Sequence, residues 1–572
     1  MSNVRVAQVL KEAADYLELR GENPFRVRAY RRAAETIAGL GEEVRHLIER
    51  GTLEEVPGVG KDLAAKIREI AETGTFREYD QVRGGLPPGL LRLLEIPTVG
   101  PKTVKLLYDA LGIDSLQALE GAARAGRLHG LPGLGAKTEA NVLKGIEELK
   151  RASDRTPLGR ALSLAETIIG ALRDIKGVRR VDYAGSLRRM KETVGDIDIL
   201  AISQQPKLVM EAFLGLPQVS DVLARGETKA SIRTSEGIQV DLRVLEERAY
   251  GAALAYFTGS KAHNIRLREL ARKRGLKLSE YGLFTERTGK WVGGRTEEEI
   301  YHRLGLPGIP PELREDSGEI EAALAGRLPD LITVADIRGD LHVHTDWSDG
   351  DHPLEEIVET ARHRGYEYVA ITDHSPSLGV ARGLTVDRLR RQGETIAAIN
   401  RRLKGFRVLR GTEVDILADG RLDFPDRVLA DLDFVVASVH SGLRQDPARM
   451  TARLLKALES PYVRALGHPT GRMLGEREGY AFDTNLIFRA AKERGVAVEV
   501  NASPFRLDLG DALCRAAKEA GLSFVIDTDM HTLSNFDHMA LGVATARRGW
   551  VEKKDVLNAL PLPALLKRLK KS

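Results

Sequence analysis

Cysteine is almost absent: the 572 residues contain one, Cys514. A single thiol excludes an internal disulfide and any zinc site built on cysteine pairs, and it suits a reducing cytoplasm. Long apolar runs are missing too, so no stretch reads as a membrane-spanning helix and no membrane partner is expected. Nor does the opening segment, "MSNVRVAQVLKEAADYLELRG", read as a secretory leader; it is an amphipathic helix carrying acids. The chain also lacks a large excess of one charge sign. Net charge is +4, and residues 1–150 hold as many acidic as basic side chains. Bulk charge therefore announces no nucleic-acid partner, and any such partner has to be argued from motifs. What is present, 42% hydrophobic and 29% charged residues, fits a soluble folded chain long enough for several domains.

Residues 1–150 read as helices joined by glycine-rich turns. One pattern recurs three times: "VPGVGKDLAAKI" (56–67), "IPTVGPKTVKLL" (96–107) and "LPGLGAKTEANVL" (131–143). Gly58 and Gly60, Gly100, and Gly133 and Gly135 lie in these turns, each just before an amphipathic helix. Glycine there lets the backbone approach a ligand and aims N–H groups outward, which can bind a phosphate without net positive charge. The rival reading is a tight helix–helix turn with glycine for geometry alone, and three copies of one layout weigh against it.

Residues 160–246 alternate helix-like and strand-like segments. Residues 250–310 read as helical and then as strands around "YGLFTERTGKWVGG". Segment 306–337 is rich in proline and then in acids, and reads as a linker. From "RGDLHVHT" onward, short apolar strands alternate with helices, the signature of parallel β/α units as in a barrel.

Within "GSLRRMKETVGDIDIL" (185–200), Asp196 and Asp198 alternate with Ile197 and Ile199, so both acids point to one face of a strand. Adjacent carboxylates repel and are costly to bury, and a divalent cation resolves that cost. Asp241, in "GIQVDLRVL", lies on another alternating strand, and "YFTGSKAHNIRLR" begins fifteen residues later. A third acid on a neighbouring strand completes a cluster able to hold two metal ions, which can activate a 3′-hydroxyl and stabilise leaving pyrophosphate.

With Gly185-Ser186, the pair Asp196/Asp198, Asp241 and "YFTGS" at 256–260, residues 1–305 resemble the family X DNA polymerases. The resemblance implies that Asp196, Asp198 and Asp241 bind Mg2+ or Mn2+, with Asp241 serving or orienting the base for the primer hydroxyl. It implies that Gly185, Ser186, Arg189 and Gly195 hold the triphosphate, and that Tyr256, Phe257 and Gly259 pack against the sugar. Asn264 would touch the incoming base and Arg268 the template strand. The three repeats resemble helix-hairpin-helix motifs, which grip the DNA backbone and take Na+ or K+ in the family. "NPFRVRAYRRAAETI" resembles the family's 5′-phosphate-binding domain, with Arg26 and Tyr30 on matching positions. Lys66 aligns with the lysine that forms a Schiff base in lyase members. One further family lysine of that pocket is replaced here by Asp62, beside Lys61, and a helix-surface role for Lys66 is the competing reading.

Nine of the thirteen histidines follow residue 340. His342 and His344 share one strand face, and Asp349, His374, Glu413, His440, His468, Asp529 and His531 follow, mostly after apolar runs. That places them at the strand ends where barrel enzymes carry their chemistry. Imidazoles mixed with carboxylates suit manganese, zinc or iron. This half resembles the PHP domain, a family of metal-dependent phosphoesterases holding up to three ions, with every ligand position filled.

The expected fold is multidomain, α+β and α/β. It comprises an N-terminal helical domain (1–84), a fingers-like domain with two hairpin motifs (85–155), a nucleotidyltransferase palm (156–247), a thumb (248–306), the linker (307–337) and a distorted PHP β/α barrel (338–572). The resemblance implies a monomeric, cytoplasmic, nucleoid-associated polymerase using dNTPs on gapped or primed DNA. It implies a role in base excision repair or end joining, with 3′–5′ exonuclease and abasic-site cleavage in the PHP domain. Two rivals stand beside it. One is a template-independent nucleotidyltransferase with a PHP phosphatase, against which the hairpins and Asn264 argue. The other is a DNA-binding scaffold with vestigial sites, against which the complete acid and histidine sets argue.

Overall fold

The computed structural model describes residues 3–38, 44–56, 58–96, 99–153 and 155–570. They fall into two compact units, one made of residues 1–154 and 378–383 and one made of residues 155–377 and 384–572. Among the described residues no helix is long and apolar enough to cross a membrane.

The first unit is all helical. Helix Lys61–Thr73 buries Leu63, Ala64, Ile67 and Ile70, the three- and four-residue spacing that turns one face inward. Gly60 caps its N-terminus, and Gly100 does the same for helix Pro101–Leu111, so each hairpin glycine precedes a helix as expected.

In the second unit the palm is a five-stranded sheet. Its order is Val178–Tyr183, Asp196–Ser203, Gln239–Leu245, Lys229–Thr234, Val219–Arg225. The two acid-bearing strands run parallel, and their register sets Asp198 directly beside Asp241. Ile197, Ile199, Val240, Leu242 and Val244 all join the core that helix Leu158–Arg173 covers. The alternation along each strand then leaves the three acids on the other face.

The thumb carries helices Tyr250–Thr258, Lys261–Lys273 and Glu297–Arg303 and a three-stranded antiparallel sheet. The segment expected as a linker is in fact packed. Leu306, Ile309, Leu313, Ile320 and Ala323 are buried in the thumb core beside Ile300 and Tyr301. Buried Arg314 pairs with Glu297 and donates from Nε to the Ile309 carbonyl at 2.8 Å. Proline and acid composition concealed this: a few well-spaced apolar residues suffice to bury a segment whose other side chains are polar.

Seven parallel strands in sequence order, from Gly339–Val343 to Phe524–Asp527, form a nearly closed barrel, and a bridge from Val343 to Met530 links its two ends. The PHP domain and the palm share core: Leu507 is fully buried among palm residues, with Leu474 and Leu541 packed against the same cluster.

Candidate functional sites

Gly185 opens the palm site. Its φ of +63° and its position demand glycine, because a Cβ there would lie 2.5 Å from Asp198 Oδ2. The turn and the acid strand are therefore pressed together. Burial, then the charges of Asp196 and Asp241, push the Asp198 carboxyl up to about 7, against the pull of Arg243 and Lys229. Burial and Asp241 raise Asp196 as well. Gln239 Nε2 donates to Asp241 Oδ1 at 3.0 Å, and Lys229 Nζ lies 3.8 Å from Asp241 Oδ2. Three mutually repelling acids with this little cationic support fit a divalent-cation site.

The residues expected at the nucleotide lie in the turn that precedes the acid strand and in the first two thumb helices. Arg188 and Arg189 both bond Thr258, each with a different acidic partner. Arg188 donates to both carboxylate oxygens of Glu297, at 2.8 and 2.6 Å, and to Thr258 Oγ1 at 2.8 Å, so it clamps palm to thumb. Arg189 donates from Nε to Glu315 at 2.9 Å and from Nη1 to the Thr258 carbonyl at 2.8 Å. The Tyr256 and Phe257 rings meet edge to face at 5.2 Å, and the Arg243 guanidinium lies over Phe257 at 4.5 Å. Asn264 donates to the Tyr256 and Gly259 carbonyls at 2.6 and 3.0 Å, so here it ties down the end of that helix instead of reaching outward. Arg268 is bonded only loosely, to the Asn264 carbonyl at 3.3 Å. Ser186 follows Gly185 in the short helix Gly185–Arg188, and Gly195 immediately precedes the acid strand.

The hairpin glycines differ in kind. Gly58 and Gly133 have positive φ and are needed for the turn. Gly60, Gly100 and Gly135 do not, and a Cβ on any of them would meet nothing within 4 Å. Neither a positive φ nor packing calls for glycine at those three, and the space beside each is open.

Arg26 is exposed, 3.9 Å from Glu22. Tyr30 is buried, and its hydroxyl lacks a hydrogen-bond partner among the described residues. Lys66 is buried too, with Nζ 2.6 Å from Asp62 Oδ1 and 3.3 Å from Glu78 Oε2. Burial alone would lower its pKa, but the hydrogen bond to Asp62 and the neighbouring charges outweigh it and raise the amine. An imine-forming lysine needs the opposite.

In the barrel the structure brings all nine expected ligands to one mouth. Glu413 is the hub. Its Oε2 lies 2.8 Å from His374 Nδ1, 3.5 Å from His342 Nε2 and 3.8 Å from His344 Nε2. Its Oε1 lies 2.8 Å from His468 Nε2 and 3.3 Å from His440 Nε2. Three groups have ligand atoms all within 4.8 Å of one another: His344, Asp349, His374 and His531; His342, His344 and Asp529; His374, Glu413 and His440. His344 and His374 belong to two groups each. The buried atoms His342 Nε2, His344 Nδ1, His374 Nδ1, Glu413 Oε2, His440 Nδ1 and His468 Nδ1 have no hydrogen-bond partner among the described residues. Orphaned donor atoms at this density fit a metal centre. Burial disfavours every charge here, yet the facing imidazoles hold Asp349, Glu413 and Asp529 well below the usual carboxylate range. His468 and Asp529 adopt φ of +26° and +53°, strain retained at the site itself.

Residues that position these ligands went unread in the sequence. Glu499 Oε1 lies 2.6 Å from His342 Nδ1, and its other oxygen accepts the His468 N–H. Asn501 Nδ2 donates to Asp529 Oδ2 at 3.1 Å. Both stand near the end of strand Ala497–Asn501, which closes the apolar run "VAVEVN". The signal was available: a polar residue ending a buried barrel strand, the same criterion that picked out the histidines.

An acid cluster against a glycine turn, and an imidazole cluster in a barrel, define a polymerase palm joined to a metal-dependent phosphoesterase. The comparisons agree. Residues 253–315 match the DNA polymerase beta thumb, residues 1–76 a helix-hairpin-helix domain, residues 90–148 a SAM-like helix-hairpin-helix tandem, and residues 340–503 the PHP domain. Over 568 residues the chain is 40% identical to the DNA polymerase/3′-5′ exonuclease PolX of Bacillus subtilis (strain 168), covering 98% of this chain and 99% of that one. Over 205 residues, 34% of this chain and 75% of the relative, it is 32% identical to a probable phosphatase of Caldanaerobacter subterraneus. The chain belongs to the family X DNA polymerases that carry a C-terminal PHP domain.

Proposed function

We propose that the protein fills short gaps in DNA during base excision repair or end joining, adding dNTPs at the palm and trimming 3′ ends at the PHP barrel. The observation that carries this is the coexistence of two complete clusters in one compact unit: three acids set by strand register, and nine metal-ligand candidates, Glu413 among them, at one barrel mouth. Bound divalent ions, Mg2+ or Mn2+ in the palm and Mn2+, Zn2+ or Fe in the barrel, would supply Lewis-acid chemistry and water activation. The chain's own residues do the rest. Asp196, Asp198 and Asp241 hold the palm ions, and Asp241 orients the proton acceptor for the primer hydroxyl. Ser186, Arg189 and the Gly195 amide hold the triphosphate, while Tyr256 and Phe257 wall the sugar. Asn264 and Arg268 reach the nascent pair once the Asn264 amide leaves its carbonyl partners. In the barrel, Glu499 and Asn501 fix the orientation of His342 and Asp529. A labelled one-nucleotide gap, incubated with and without dNTP, tests the reading: extension in the first case and 3′ shortening in the second.

The hairpin turns would grip phosphates through their outward backbone N–H groups and would hold Na+ or K+ beside them. Their contribution to affinity is then independent of base sequence and falls with salt. Gly60→Val together with Gly100→Val is expected to weaken gap binding about tenfold or more, the scale of one or two lost charge-assisted contacts. Circular dichroism should be unchanged, because the added side chains point into open space. Full affinity in the folded double variant would reduce these turns to connectors.

Lys66 lies outside the proposed catalysis. Borohydride should trap no covalent adduct between the protein and a 5′-deoxyribose phosphate flap, since Asp62 and Glu78 keep the amine protonated. A trapped adduct that disappears in Lys66→Ala would restore the lyase role.

A further inference from the structure

The PHP domain reaches into the polymerase pocket through Arg548. This residue ends helix Met539–Arg548, and its side chain is only 5% exposed. Nε and Nη2 both donate to Asp511 Oδ2, at 2.8 and 2.6 Å. Nη1 donates to the backbone carbonyl of Arg189 at 2.7 Å and lies 3.1 Å from Glu315 Oε1. That same oxygen accepts the bond from Arg189 Nε. Asp511, Arg548, Glu315 and Arg189 thus form a part-buried chain of alternating charge that ends at the proposed triphosphate ligand.

The consequence is electrostatic. Glu315 stands between two guanidinium groups and is shared by them. While Arg548 takes part of its charge, Arg189 keeps net positive character for an incoming triphosphate. Without Arg548, Glu315 would be left to Arg189 at 2.9 Å and the more distant Lys191 ammonium at 3.9 Å, and would neutralise Arg189 more fully. The carbonyl bond adds a second hold, because Arg189 closes the short helix Gly185–Arg188 that carries Ser186. We infer that Arg548 is a positioning residue of the nucleotide pocket, so that the PHP domain is a structural part of the polymerase site whatever happens at its own metals. This rests on the reading of Arg189 as a triphosphate ligand.

Single-nucleotide insertion by the full-length enzyme on a gapped duplex tests it, with KM for dNTP and kcat measured separately. Arg548→Met should raise KM about ten- to a hundredfold, the range of one charge-assisted contact, and leave kcat within a few-fold. Adding Glu315→Gln to Arg548→Met should recover part of the loss, since the uncompensated carboxylate is then gone. Arg548→Lys should fall between wild type and Arg548→Met, keeping the charge but not the fork. Arg547→Met is the control: its neighbouring guanidinium pairs with Glu312 at 2.6 Å and bonds the Ile332 carbonyl, away from Arg189. It should loosen the same contact between domains yet leave KM unchanged.

A wild-type KM in Arg548→Met would overturn the inference. So would an equal rise in Arg547→Met, or an absence of recovery in the double variant. If Arg548→Met does not fold, a wild-type KM in Arg548→Lys overturns it and a raised KM supports it. Arg189→Ala separates the two levels: an unchanged KM there removes the triphosphate reading itself, whereas a raised KM beside a wild-type Arg548→Met removes only the relay.

Discussion

Asp198→Asn is expected to abolish nucleotide addition while 3′ digestion continues at the wild-type rate. The loss should be on the order of a thousandfold or more, the scale seen when one preorganised charge-stabilising group is removed. The same variant should melt at a higher temperature than wild type in chelator. The folded carboxyl, pushed to about 7, titrates far above an unfolded aspartate. Such a group costs the metal-free fold stability above the unfolded pKa, and the cost grows until the folded pKa is passed. Asparagine removes the cost at neutral pH. A proton also competes with the ion at this acid. Polymerisation at a fixed, limiting Mg2+ concentration should therefore fall as pH drops through about 7, and more Mg2+ should restore it. An Asp198→Asn enzyme that fills gaps normally, or that loses digestion as well, contradicts the separation of the two sites.

Glu413→Gln should produce the mirror image: gap filling retained, digestion of a single strand lost by a comparable factor. The amide keeps the size of the side chain but removes the charge that faces five imidazoles. Metal content gives a readout besides activity. Purified Glu413→Gln should carry fewer equivalents of transition metal than wild type, while Asp198→Asn should match wild type. Manganese should support digestion in the wild-type enzyme better than magnesium, since imidazoles bind it more readily. Unchanged metal content together with normal digestion would remove Glu413 from the centre.

Much of this architecture was readable because residue type and spacing carried it. The acids alternated with isoleucines and valines, which settles their face whatever the rest of the sheet does. The histidines followed apolar runs, which put them at strand ends. Other features depended on contacts that no local pattern encodes. Segment 306–337 reads as a linker because proline and acids dominate it, and only the packed thumb reveals what Leu306, Ile309 and Ile320 are for. Arg188 and Arg189 are adjacent and identical in type, yet one pairs with Glu297 and the other with Glu315; partners more than a hundred residues away decide this. Arg548 carries no motif at all, since its role comes wholly from where helix Met539–Arg548 ends.

The side-by-side placement of Asp198 and Asp241 on parallel strands also limits how this gene can drift. Inserting or deleting one codon inside either strand would turn its acid into the apolar core and bring an isoleucine, valine or leucine out in its place. Point changes at the apolar positions can be absorbed there one at a time, whereas a change of length cannot. Relatives that keep polymerase activity should therefore vary in length at the loops on either side, and never between Asp196 and Ser203 or between Gln239 and Leu245.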